Sequence, residues 1–183
     1  MPDQRLEMID LKSIIRTVPD FPKPGIQYRD ITTLLADPAA LKAAVEQLAA
    51  PYRDTGVTAV AGIDARGFIF GTAVAIELGV GFIPVRKAGK LPFDTLEQDY
   101  ALEYGTDTLQ IHADAASEDD TVLLVDDLIA TGGTAEAAIS LLKRTGCNLV
   151  GAAFLVDLPD LGGADRVRSQ DVPVKTLVAF EGE

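Results

Sequence analysis

Thr121-Val122-Leu123-Leu124-Val125-Asp126-Asp127-Leu128-Ile129-Ala130-Thr131-Gly132-Gly133-Thr134-Ala135-Glu136-Ala137-Ala138 decides the architecture. Its first five residues are apolar or β-branched without alternation, the pattern of a strand covered on both faces. Two carboxylates follow at the strand end. A Gly-Gly turn then opens TAEAAISLLKRTG, whose apolar residues return at helical spacing. Strand, short loop and helix in that order form one half of a βαβ unit, so the sheet is expected to be parallel.

The same alternation runs outward in both directions. VTAVAGI (57–63) leads into FIFGTAVAIELG, VGFIPV (80–85) follows, and NLVGAAFLV (148–156) and VKTLVAF (174–180) close the chain. Helices ending at Gly79 and Gly146 separate these runs. The expected fold class is therefore α/β, a mostly parallel twisted sheet with helices on both faces. Asp37-Pro38 reads as an N-cap with proline at the first helical position, and LKAAVEQLAA carries that helix to Pro51. Residues 4–16 have helical spacing (Leu6, Ile9, Ile14), and Val18–Ile26 reads as an irregular ordered loop. Residues 93–117 break the rhythm: alternation at 100–112 predicts an antiparallel hairpin with mobile flanks, an insertion of the kind that serves as a lid.

The chain has 183 residues, enough for one domain with a sizeable core, and 48% of them are hydrophobic against 24% charged, as in ordinary globular proteins. A formal charge of −12 repels phosphate backbones and anionic lipid, which argues against nucleic-acid and membrane partners. One cysteine (Cys147) and one histidine (His112) leave neither an intramolecular disulfide nor a Cys/His zinc set, which fits a reducing compartment. Cys147 reads as a packing residue and His112 as a strand residue. The N-terminal MPDQRLEMIDLKS has acids where a secretory leader needs an apolar run, so the chain is read as cytoplasmic. The apolar window Phe68–Val85 is broken by Thr72, Glu77 and three glycines, and reads as a buried helix followed by a buried strand.

Parallel sheets bind ligands at the carboxyl ends of their strands, and three unusual loops lie there. Ala130-Thr131-Gly132-Gly133-Thr134 opens a helix with approachable backbone N–H groups, which suits a phosphate. It is neither the nucleotide P-loop nor the G-x-G-x-x-G turn. Asp126 and Asp127 beside a phosphate call for something between, either ribose hydroxyls or Mg²⁺; the bland alternative is a helix cap with two solvated acids. Asp64-Ala65-Arg66-Gly67 offers a cation and backbone donors, and Arg86-Lys87-Ala88-Gly89-Lys90 gathers three positive charges. Either these cations form a local sink for a diphosphate, or they are solvated surface charge.

These loops resemble those of the type I phosphoribosyltransferases, and among them the branch that uses adenine. VLLVDDLIATGGTA is similar to the signature for 5-phosphoribosyl 1-diphosphate (PRPP), and narrower likenesses lie in Phe21–Thr32 (FPKPGIQYRDIT), Asp64–Phe68, Arg86–Pro92 and Leu102–Gly105. They occur in family order across roughly residues 5–180. The resemblance implies one phosphoribosyltransferase domain over 1–183, with a small base-recognising hood at 1–35 and a flexible lid hairpin at 93–117. It implies transfer of phosphoribose from PRPP to adenine, giving AMP and diphosphate with Mg²⁺ held mainly by the diphosphate and water, in a cytoplasmic homodimer.

Residue by residue, the resemblance assigns the 5′-phosphate to Ala130, Thr131, Gly132, Gly133 and Thr134. Asp126 and Asp127 would face the ribose, and Arg66, Arg86 and Lys90 the diphosphate, with Lys87 as a weaker fourth. Tyr28 would stack on the purine, the main chain of Gln27 and Arg29 would meet its edge, and Leu158 would cover its other face. Glu103, on the lid, would approach N7 with Tyr104 beside it. Two departures stand out: Tyr28 where the family usually has Phe, and Gln27 where an aliphatic residue is common. Family members that bind 6-oxopurines are expected to have a lysine where Asp157-Leu158 stands here, which favours adenine. The rival readings are an effector-sensing regulator that keeps the PRPP loop without catalysis, a response-regulator-like domain suggested by LLVDD, and a sister transferase for another base.

Overall fold

The computed structural model describes residues 9–102 and 105–182. Strand β3 (Ala59–Ile63) is followed by helix α4 (Arg66–Leu78) and strand β4 (Gly81–Lys87), and strand β7 (Thr121–Ile129) by α5 (Gly133–Arg144) and β8 (Asn148–Asp157). A short helix α6 (Gly163–Arg168) leads to β9 (Val174–Ala179), and between β4 and β7 lie β5 (Thr95–Ala101) and β6 (Thr106–His112). The strands form one sheet in the order β5-β6-β4-β3-β7-β8-β9. From β4 to β9 all pairings are parallel, whereas β6 joins β4 antiparallel at Arg86 and Lys87 alone and carries β5 as an antiparallel hairpin partner.

The order explains the location of the site. From β3 the chain steps outward through α4 to β4, and from β7 it steps the opposite way through α5 to β8. The loops after β3 and β7 therefore diverge, leaving a crevice at their carboxyl ends where the winding reverses.

Each face of the sheet has its own core, and β7 feeds both because successive side chains of a strand point to opposite faces. Val122 and Leu124 join Phe154 and Leu109 in the core under α5, α6 and the hairpin. Leu123 and Val125 join Leu155 in the core under α4 and the N-terminal elements. The second face is completed by α3 (Pro38–Ala49), which starts where the Asp37 carboxylate accepts from the amides of Ala39 (2.9 Å) and Ala40 (3.0 Å), with proline behind the cap. Single 3-10 turns follow α3 at Ala50–Tyr52 and β8 at Pro159–Leu161. The window Phe68–Val85 resolves into most of α4 and the first part of β4, and among the described residues no helix is long and apolar enough to cross a membrane.

The N-terminal segment departs from its periodicity. Helix α1 is one turn (Leu11–Ile14), capped by Asp10, and Arg16–Pro19 forms strand β1 instead of extending the helix. Its partner is β2 (Gln27–Asp30), in antiparallel register from Arg16 opposite Asp30 to Pro19 opposite Gln27. That downstream partner outweighs the local helical spacing. The buried residues are accordingly Leu11 and Ile15, with Ile9 and Ile14 only packed at the margin, and Leu6 lies outside the described residues. The loop expected at 18–26 shortens to 20–26, because Val18 and Pro19 belong to β1. Helix α2 (Thr32–Ala36) then leads into α3.

Candidate functional site

Helix α5 begins at Gly133, and Gly132 before it has φ +88°, a left-handed conformation that a side chain would strain. Among the described residues no side chain caps this N-terminus, so its amides can take an anion. The residues from Asp126 to Ala135 line a cleft of about 280 Å³ together with Ile63, Asp64, Ala65, Arg66 and Lys87. Loops after β3 and β7 and the end of β4 thus meet in one cavity at the reversal of the winding. Ala130, Thr131, Gly132, Gly133 and Thr134 all belong to it.

Asp126 and Asp127 differ in environment. The Asp127 amide donates to Asp126 Oδ1 at 2.8 Å. Removal from water, followed by the adjacent charge of Asp127, pushes the Asp126 carboxyl well above the ordinary carboxylate range. Asp127 is 4% exposed, and its Oδ2 lies 2.9 Å from Arg66 Nε. That N–H is not aimed at the oxygen, so Oδ2 accepts no hydrogen bond. The oxygen is thus ion-paired but, among the described residues, lacks a directed donor, which a ligand hydroxyl would supply.

The cations are each held by a neighbour. Arg66, the first residue of α4, also donates from Nη1 to Tyr28 Oη at 2.7 Å. Arg86 and Lys87 are strand residues at the end of β4, where the sequence suggests a loop, because β6 pairs with both. Arg86 Nε and Lys90 Nζ reach the same oxygen of Asp64, at 3.4 and 3.0 Å. Burial alone would raise the Asp64 pKa, but Lys90 and Arg86 outweigh it and hold the carboxyl below its usual range. Lys87 lines the cleft and donates to Tyr100 Oη and Asp107 Oδ2 on the hairpin. Burial would lower its pKa, yet these two partners keep it above the ordinary value.

Tyr28, on β2, packs against the edge of Phe21 with ring centroids 5.1 Å apart. The neighbouring Arg29 side chain is buried and points elsewhere, donating to Thr17 Oγ1 at 2.6 Å, with its guanidinium 4.5 Å from the Phe180 ring. Leu158 follows β8, tied by its amide to Ile129 O at 3.0 Å. Gln27, Tyr28, Arg29, Leu158, Arg86 and Lys90 are not in the lining of the 280 Å³ cleft. Glu103 and Tyr104 lie outside the described residues. The hairpin that carries them is fixed to α5, where Ser140 Oγ donates to Gln98 Oε1 at 2.9 Å and Arg144 Nη1 to Glu97 O at 2.6 Å.

Sequence reasoning singles out neither Tyr100 and Asp107, which hold Lys87, nor Gly163, whose amide donates to Ala130 O at 3.0 Å behind the Gly-Gly turn. Asp64 is visible there only as part of a cationic loop. The signal for Gly163 is the second glycine pair, Gly162-Gly163, just after a strand end.

The fold and cleft define a phosphoribosyl transferase domain, and the family model of that description matches residues 31–179. The chain is 60% identical over 174 residues to an adenine phosphoribosyltransferase of Maricaulis maris, covering 95% of this chain and 99% of that protein. The crystal structure of adenine phosphoribosyltransferase from Rhodothermus marinus superposes with a TM-score of 0.87 at 52% identity, covering 93% and 96% of the two chains. The Saccharomyces cerevisiae enzyme, solved with an imino-altritol bisphosphate and adenine, gives 0.86 at 35% identity, covering 92% and 96%. The chain belongs to the adenine phosphoribosyltransferase family.

Proposed function

We propose that this chain transfers the phosphoribosyl group of PRPP to N9 of adenine, forming AMP and releasing diphosphate. The observation that carries the reading is the meeting of the open α5 N-terminus, the Asp126–Asp127 pair and the ion-paired Arg66 in one cleft. Adenine as the base is supported by the names of the relatives and by the adenine complex of the yeast enzyme.

In this reading the amides of Ala130–Thr134 hold the 5′-phosphate, and the ribose hydroxyls donate to Asp126 and Asp127. The N9–C1′ bond forms as the C1′–O bond to diphosphate breaks, and the proton of N9 passes to the departing diphosphate. Positive charge on the ribose is offset by the acid pair, and negative charge on the leaving group by Arg66, Arg86, Lys90 and Lys87. The anion competes with Asp64 and Asp107 for three of these cations. Tyr28 and Leu158 sandwich the purine, and the main chain of Gln27 and Arg29 meets its edge. Glu103 approaches N7, with Tyr104 beside it, as the loop that joins β5 to β6 closes to exclude water.

The buried Asp127 carboxylate is already ion-paired with Arg66 at 2.9 Å, which makes the acid pair a poor direct ligand for a divalent cation. Mg²⁺ is assigned mainly to the substrate diphosphate and water; among the described residues no group of three or more His, Cys, Asp or Glu gathers. When bound, the ion neutralises charge on the leaving diphosphate. The working form is taken as a cytoplasmic homodimer, with exposed Ile69 and Ile76 on α4 as surface for a second copy.

The test is a base panel: purified protein, Mg²⁺ and PRPP, offered adenine, hypoxanthine, guanine, xanthine, uracil and orotate in turn. AMP from adenine alone is expected. Turnover with another base instead would overturn the purine assignment, and PRPP binding without turnover would favour an effector sensor.

A further inference from the structure

Arg66 stands between two parts of the site that differ in chemistry. One edge of its guanidinium donates from Nη1 to the Tyr28 hydroxyl at 2.7 Å, while Nε lies 2.9 Å from Asp127 Oδ2 without being aimed at it. The side chain is 41% exposed, so packing alone does not fix it. The Tyr28 hydroxyl is its directed hydrogen bond, and the Tyr28 ring is itself set by the edge of Phe21.

We propose that Tyr28 is a positioning residue for the diphosphate cation: its hydroxyl fixes the edge of Arg66 that the Asp127 ion pair leaves free, and links occupation of the base site to affinity at the PRPP site. Without that hydroxyl the guanidinium is held by its ion pair with the buried Asp127 oxygen, 2.9 Å from Nε, and is free to turn fully onto it. Settling there would turn the cation from the anion and mask a carboxylate meant for the ribose. A base stacked on the Tyr28 ring fixes the ring, hence the hydroxyl and Arg66, so adenine and diphosphate should each tighten the other's binding by the same factor. The proposal rests on the reading of the site as one for adenine and PRPP.

The decisive variant is Tyr28→Phe, which keeps the ring and removes the hydroxyl. Magnesium diphosphate is titrated calorimetrically into wild type and variant, with and without adenine, an experiment that needs no turnover. One lost hydrogen bond to a partly exposed charged group predicts diphosphate binding weaker by about three- to tenfold. The enhancement by adenine should fall to about one, and KM for PRPP should rise more than KM for adenine. In an Arg66→Ala background, adding Tyr28→Phe should change diphosphate affinity less than about twofold. If Tyr28→Phe does not fold, Arg66→Lys replaces it, since an ammonium lacks the second edge and should show the same loss of coupling. Equal diphosphate affinity in wild type and Tyr28→Phe overturns the proposal, as does a full Tyr28→Phe effect without Arg66. A wild type that makes no AMP but shows these binding differences would overturn the proposed function and leave this inference standing; a wild type that binds no diphosphate overturns both.

Discussion

Gly163→Ala tests whether the phosphate loop is shaped from behind. Gly163 opens α6, and a Cβ there would collide with Ala130 O and lie 2.6 Å from Gly132 N and 2.9 Å from the Thr131 carbonyl carbon. Ordinary contact begins at 3.4 Å, and all three atoms are backbone, so the loop must move by about 1 Å. Thr131 is also held from the α6 side, where Arg166 Nη1 donates to its carbonyl at 2.9 Å, which limits the routes of escape. A displacement of about 1 Å in a positioning element costs on the order of 10²-fold in rate. Overpacking destabilises by about 1–3 kcal/mol, and each kcal/mol lowers Tm by about 2–4 °C in a chain of this size. Gly162→Ala is the control: φ is +71° but no atom lies within 4 Å of the added methyl. It should cost about 1–2 kcal/mol of stability through the left-handed backbone and leave PRPP affinity unchanged. PRPP titration, adenine turnover and thermal melting of both variants make the comparison. Gly163→Ala with wild-type affinity and rate, or Gly162→Ala with an equal loss of affinity, would mean that Gly163 does not set the shape of the loop.

Asp126→Asn should lower turnover more than about tenfold yet raise stability at pH 7 by about 1 kcal/mol. The folded-state pKa of Asp126 is raised, so the cost of its charge develops as pH rises from the ordinary carboxylate range through the raised value; urea melts should show the advantage of the variant shrinking toward acid pH. Asp64→Asn has the opposite sign: the lowered pKa means stability present above the ordinary carboxylate range and lost as pH falls through the lowered value. That variant should be less stable at pH 7 by about 1–2 kcal/mol, a loss moderated because Arg86 and Lys90 are partly exposed, and the gap should close in acid melts. Glu103→Ala should lower kcat far more than it raises KM for PRPP; intact kcat with weakened substrate affinities would remove Glu103 from the chemistry.

The parts of the fold legible in the sequence are those governed by local pattern. TVLLV followed by Asp-Asp and Gly-Gly specifies a buried strand, a polar end and a helix start within one contiguous stretch, and β7, the cleft and α5 stand where that pattern puts them. Arg16–Pro19 and Arg86-Lys87 escape such a reading for the opposite reason. Each is extended because a distant segment pairs with it, β2 in one case and β6 in the other, and neither segment's own composition announces the partner. The site shows the same division. Sequence supplies its cations, but the acids that hold them come from separate elements: Asp127 from β7, Asp64 from the end of β3, Asp107 from β6. The cluster is therefore not the bare positive sink that counting Arg86, Lys87 and Lys90 suggests. Its charges are largely matched at rest, which reconciles the proposed anion site with a chain of net charge −12. In the proposed function, selectivity for a phosphorylated ligand rests on directed donors at short range, the α5 amides and the Arg66 fork, more than on long-range attraction.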